Sequence, residues 1–184
     1  EHPANLSWEG VTPAGEMIEK EFGLETALTN DANAAAVGEM LFGAARGMKN
    51  FIMITLGTGL GSGIVVEGNL LYGATGFAGE MGHVTVALGG RPSPFGKLGS
   101  LEAYVSATGI VETVKETMKL PELNIFESSL RDLPEKELSS KIIFDEAEKG
   151  DPLAITAFDF TGDILGRAFA NTALLFSPEA FIIG

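Results

Sequence analysis

The sequence predicts an α/β fold, and two features of it carry that prediction. Short apolar runs of β-like character crowd the first half of the chain, while helical patterns dominate the second. At either end a strand pattern also stands next to a helix pattern, the alternation that stacks sheet and helix on a shared core. The composition agrees. The chain has 184 residues, 45% of them hydrophobic, with a mean hydropathy of +0.22. That suits one compact unit, or one large lobe with a piece of another, and excludes a disordered chain.

Residues 13–22 read as a helix with Pro13 in its first turn and Gly23 at its C-terminal cap. Residues 26–29 are a short strand candidate. Residues 31–45, rich in Ala, Met and Leu, read as a helix opened by the cap candidates Asn30 and Asp31 and closed near Gly47. Two β-like runs follow, 51–56 and 64–66, with a glycine-dense segment between them. Glu67, Gly68 and Asn69 suit a hairpin turn into residues 70–72. Residues 84–88 form another strand candidate, and 89–99 a loop with Pro92 and Pro94. Helices are expected over 101–105, 109–118, 140–149 and 152–176, with an acidic connection over 120–138.

Charge and composition narrow the function classes. Twelve basic residues against twenty-five acidic ones give a net charge of −13, and no basic run is present. Such a chain repels a phosphate backbone, so no nucleic-acid partner is expected. The absence of cysteine excludes disulfides and Cys-ligated zinc or iron–sulfur sites, and accords with a cytoplasmic protein. Residues 1–5 lack the basic start and apolar core of a signal peptide, and no apolar run approaches the ~20 residues that span a bilayer, so no membrane role is expected. The chain opens on Glu1 rather than Met and stops on an apolar run ending in Gly184, so it is expected to be part of a longer protein.

Four segments could carry chemistry. Between Thr55 and Gly63, glycines occupy positions 57, 59, 61 and 63. In an extended chain this strips side chains from one face and lets a ligand or another backbone approach. The spacing fits neither the dinucleotide fingerprint nor the P-loop. Two readings stand: a turn whose N–H groups and Thr58 hydroxyl face a phosphate, or a hairpin that simply packs tightly. Asp31, at a strand-to-helix junction with Asn30 beside it, suits either a general base next to a hydroxyl-binding amide or a plain helix cap. Glu80 and His83, framed by Gly79 and Gly82, suit recognition of a hydroxylated ligand or a surface pair. Glu102 by itself reads as a first-turn helix glutamate.

Taken in order, residues 29–36, 56–64, 79–83 and 99–102 resemble the ROK family of bacterial sugar kinases, repressors and uncharacterised open reading frames, over essentially the whole chain. The resemblance implies an actin-like, RNase-H-like sugar kinase lobe: a mixed β-sheet flanked by helices. Residues 1–29 would end the N-terminal lobe at the interlobe cleft, and residues 30–184 would form the C-terminal lobe, incomplete at its end. It implies ATP-dependent phosphorylation of a hexose, glucose to glucose 6-phosphate, with Mg²⁺ on the ATP. Asp31 would be the catalytic base. Asn5, Asn30, Glu80, His83 and Glu102 would bind sugar hydroxyls, and Gly57, Thr58 and Gly59 the ATP phosphates. A homodimer is implied, and a ROK-type repressor or sugar sensor is the alternative.

Two departures from the family pattern stand out. The family's structural zinc is held by a histidine and three cysteines, whereas the matching segment here carries Ser93, Phe95 and Ser100, with Glu102 and the glycines kept. Zinc is therefore expected to be absent, with Phe95, Pro92 and Pro94 anchoring the loop instead. The family's first phosphate loop, Asp-x-Gly-Gly-Thr, is also missing, as is its glycine-led adenosine segment. The chain by itself is expected to be inactive.

Overall fold

The computed structural model describes residues 10, 12–93, 96–121 and 127–184. The chain divides into two compact units, Glu1–Asn30 and Asp31–Gly184. In the first, helix α1 spans Ala14–Phe22 and closes on Gly23, which takes the left-handed conformation at φ 67° and donates its N–H to Glu19 O. Residues 26–29 form no strand. The Thr26 N–H donates to the Glu19 carboxylate at 2.9 Å, and its hydroxyl donates to Leu24 O, so local side-chain bonds take groups that a strand would need.

The second unit is built on a four-stranded mixed sheet of order β3-β2-β1-β4. Its strands are β1 (Phe51–Leu56), β2 (Leu60–Val66), β3 (Asn69–Leu70) and β4 (Ala180–Ile183). β2 runs antiparallel to β1 and β3, and β4 runs parallel to β1. The apolar run of β1 is uninterrupted because both faces of the sheet are covered. Phe51, Met53 and Val65 pack with Ala36 of helix α2 (Asp31–Phe42), while Ile52, Ile54, Leu60 and Ile64 pack with Tyr104, Val105 and Ala168 on the other face. The predicted mixed sheet flanked by helices is thus what forms.

Helices α3 (Glu102–Val105), α4 (Ala107–Met118), α5 (Ser140–Glu148) and α6 (Pro152–Phe176) complete the unit. A second core of Ile110, Val114, Leu130, Ile143, Leu153 and Ala157 joins α4, α5 and the start of α6. Asp151 caps α6, accepting the N–H groups of Leu153 and Ala154 at 2.9 and 3.0 Å. Among its described residues the acidic connection forms the 3-10 turns Ser129–Asp132 and Glu135–Glu137.

Boundaries differ from expectation at several elements, for local reasons: α4 begins at Ala107 rather than 109, capped by the Ser106 hydroxyl, and β3 covers Asn69–Leu70 rather than 70–72. α2 stops at Phe42 because Glu39 takes the following N–H: its carboxylate accepts from Ala44 at 2.7 Å. β2 starts at Leu60 because that residue already pairs with Leu56, which leaves 57–59 as the turn. Residues 84–88 make one bridge, Thr85 to Ser100, rather than a strand. Val86 and Ala87 both donate to Gly99 O, and Gly99 at φ 71° ends any ladder there.

Candidate functional site

β2 organises the site through its alternation. Gly61 and Gly63 face α2. A Cβ at 61 would stand 2.6 Å from Thr55 Oγ1 and 3.0 Å from Ala32 Cβ, and one at 63 would stand 2.8 Å from Ala36 Cβ and 3.0 Å from Ala32 O. These two glycines serve packing, and they let the first turn of α2, which begins with Asp31, lie against the strand. Ser62 points the other way. Its hydroxyl donates to Gly79 O and accepts the Met81 N–H at 3.0 Å, clasping Glu80 between two bonded neighbours. Gly82 lies so close to Leu60 O that no side chain would fit there.

At position 59 the approach is to a carboxylate. A Cβ there would stand 3.0 Å from Glu102 Oε2. Glu102 opens α3 and is only 8% exposed. Its Oε1 lies 3.6 Å from His83 Nδ1, too far for a hydrogen bond, and is buried without a hydrogen-bond partner among the described residues. His83 ends the 3-10 turn Met81–His83, and Lys97 donates to its carbonyl. Consecutive residues 59, 60 and 61 therefore touch Glu102, the 81–83 turn and the start of α2 respectively.

The 57–59 turn is closed by Gly57 N–H donating to Gly59 O at 3.0 Å. It is anchored by α4, whose Ala107 N–H donates to Gly57 O at 2.9 Å and whose Thr108 hydroxyl donates to Thr58 O at 3.2 Å. Gly57 and Thr58 are exposed, and a Cβ at Gly57 would meet nothing within 4 Å. The turn is thus tied to α4 through the carbonyls of Gly57 and Thr58, and the Gly57 N–H is taken up within the turn, with open space beside the Gly57 Cα. The glycine run divides: 57 is open, 59 faces a carboxylate, and 61 and 63 pack.

Asp31 is exposed, and its carboxylate accepts the Ala32 N–H at 2.9 Å. Asn30 is exposed in the coil before α2. Asn5 lies outside the described residues. The structure gathers Glu80, His83, Glu102, the 57–59 turn and the first turn of α2 around one end of the β1–β2 hairpin. Sequence reasoning missed Ser62 and Thr108. Ser62 carried a signal, as a polar side chain between two glycines of the alternating run; Thr108 carried none.

A family model described as ROK family matches residues 1–184. The chain belongs to the ROK family. It is 42% identical over 186 residues to a glucokinase of Halalkalibacterium halodurans, covering 100% of this chain and 55% of that protein. A xylose repressor of Caldicellulosiruptor bescii is 31% identical over 180 residues, 98% of this chain and 44% of the repressor. A ROK family glucokinase from Streptomyces griseus, solved in complex with glucose and AMPPNP, matches with a TM-score of 0.79 at 36% identity, over 98% of this chain and 58% of that one. The fold is the actin-like ATPase fold of the ROK sugar kinases. The chain spans about half the length of the curated relatives it matches.

The structural zinc implied by ROK membership would need donors from His83 and positions 93, 95 and 100. Ser93 and Ser100 are buried, and Ser100 Oγ has no hydrogen-bond partner among the described residues. The bridge to Thr85 still brings Ser100 near the end of the His83 turn. Serine hydroxyls remain protonated at neutral pH and are not the thiolate or imidazole donors that a closed tetrahedral zinc site takes. The donor set does not fit the metal. Pro94 and Phe95, expected to anchor the loop, lie outside the described residues.

Proposed function

We propose that the protein to which this chain belongs transfers the terminal phosphoryl group of ATP to a hexose, with glucose as the substrate and glucose 6-phosphate as the product. The observation that carries the reading is Glu102: a buried carboxylate next to His83 and close against Gly59, with one oxygen that has no hydrogen-bond partner among the described residues. An unbonded buried acceptor is costly unless a donor arrives, and a sugar hydroxyl is such a donor. The relationship to glucokinases supports glucose.

In this reading Asp31 accepts the proton of the attacking hydroxyl, and Asn5, Asn30, Glu80, His83 and Glu102 bind the remaining hydroxyls. The Gly57-Thr58-Gly59 turn meets the ATP phosphates. Mg²⁺ carried on the ATP offsets phosphate charge, a need sharpened by a net charge of −13. Transfer passes through a loose transition state, so alignment of acceptor and phosphate does most of the work and Asp31 takes its proton late. Residues 1–29 would belong to the N-terminal lobe and residues 30–184 to the C-terminal one, in a cytoplasmic homodimer. Residues 1–184 alone would not turn over.

A coupled ATP-consumption assay of the full-length protein across a hexose panel tests the reading, with glucose expected to be phosphorylated. The Asp31→Asn variant should bind glucose nearly as the parent does while its kcat falls roughly 10²- to 10⁴-fold. A near-parental rate would remove Asp31 from the base role. The xylose-repressor relative supports a second reading, a sugar-responsive regulator. Operator binding without phosphorylation of any hexose would favour it.

A further inference from the structure

Arg91 belongs to the loop ahead of Glu102 and makes none of the contacts described so far, yet its side chain is only 10% exposed. Its guanidinium forks onto Glu116 of α4, Nε to Oε1 at 3.0 Å and Nη2 to Oε2 at 2.6 Å. Nη1 donates to Gly109 O at 3.1 Å and Thr113 Oγ1 at 2.9 Å on α4, and to Ala103 O at 3.3 Å on α3. The Tyr104 ring of α3 lies under the guanidinium at 4.5 Å, and the Tyr104 hydroxyl accepts the Arg91 N–H at 2.9 Å.

The bond to Ala103 O has a specific cause. In an unbroken helix that carbonyl would accept from Ala107 N–H, four residues on. Here Ala107 N–H is given to Gly57 O, and the helix breaks at Ser106, with φ −72° and ψ 169°. The turn at 57–59 therefore takes a donor from the helix, and Arg91 replaces it. The same cation bonds both sides of the break: α3, which starts with Glu102, and α4, which holds the turn.

We infer that Arg91 is a positioning residue, fixing α3 against α4 and so setting the separation between the hydroxyl-binding end at Glu102 and the phosphate-facing turn at Gly57. The inference rests on the kinase reading for its catalytic consequence and on geometry alone for its structural one. A planar fork with five donors does this where a lysine ammonium cannot.

Two measurements on the full-length protein test it. Calorimetric titration with glucose counts native sites, and kcat is then expressed per site. Arg91→Met should keep one site per chain and a dissociation constant within about threefold of the parent, with kcat per site down roughly tenfold or more, because misalignment acts on the transfer step. Arg91→Lys should recover part of that loss. A residue that merely stabilises the fold would lower the number of sites and leave kcat per site unchanged, and that result overturns the inference. The second measurement needs no activity. Trypsin cleavage after the exposed Lys97, in the loop Arg91 pins, should be roughly tenfold faster in Arg91→Met, as expected when a local tie is lost. Equal rates overturn the clamp. If Arg91→Met does not fold, Glu116→Gln, at a half-exposed position, should speed the same cleavage about threefold, and no change there overturns it equally. A parent that phosphorylates no hexose but shows the cleavage difference would sink the kinase reading and leave the clamp standing.

Discussion

Single residues in the β1–β2 hairpin separate packing from binding. Gly63→Ala would press a methyl group to 2.8 Å from Ala36 Cβ and 3.0 Å from the Ala32 carbonyl, so it should cost about 1–3 kcal/mol in denaturant unfolding. Gly57→Ala meets nothing within 4 Å, and Gly57 is not in the left-handed region, so its stability should stay within about 0.5 kcal/mol of the parent. Its effect should appear instead as a raised KM for ATP. Equal destabilisation by both substitutions would refute the division of the glycine run. Glu102→Gln keeps the shape and removes the charged acceptor. A hydrogen bond to a charged group is worth about 1.5–3 kcal/mol, so the KM for hexose should rise roughly ten- to hundredfold. An unchanged KM would take Glu102 out of the sugar site.

Among the elements, the join between β1 and β4 carries a pH-sensitive contact. Glu179, just before β4, accepts the N–H groups of Lys49 and Asn50 at 2.8 and 2.9 Å, and these bonds hold its carboxyl below its ordinary 4.5. A lowered native value means a contribution present above 4.5 and lost as the pH falls through the native value. Thermal melts from pH 7 to pH 3 should show the parent more stable than Glu179→Gln at neutral pH, with the two converging in acid. A constant difference would contradict the linkage. Elements were legible where periodicity and local signals agreed: α1 with Gly23, α6 opening on Pro152, and β1 as an apolar run. They were misread at residues 26–29 and 84–88, where β-like composition met no partner strand. Pairing is a long-range property, and the N–H groups of Thr26 and Val86 were claimed by Glu19 and Gly99 instead.

For the whole molecule, the −13 charge and the lack of thiols bear on metal content. With one histidine and two buried hydroxyls at the positions a zinc would use, elemental analysis of the full-length protein should find no stoichiometric zinc. One zinc per chain would refute the donor argument. The sequence by itself determined the α/β class and the family. Both follow from features written locally in the chain: hydrophobic period, glycine spacing, and motifs in a fixed order. Only the tertiary structure decided which glycines pack and which lie open, that Glu102 keeps an oxygen without a hydrogen-bond partner among the described residues, and that Arg91 spans the α3–α4 break. Each of those depends on which groups from distant parts of the chain meet. Gly59 and Gly61 are identical in sequence and two residues apart, yet one faces a carboxylate from position 102 and the other a methyl group from position 32.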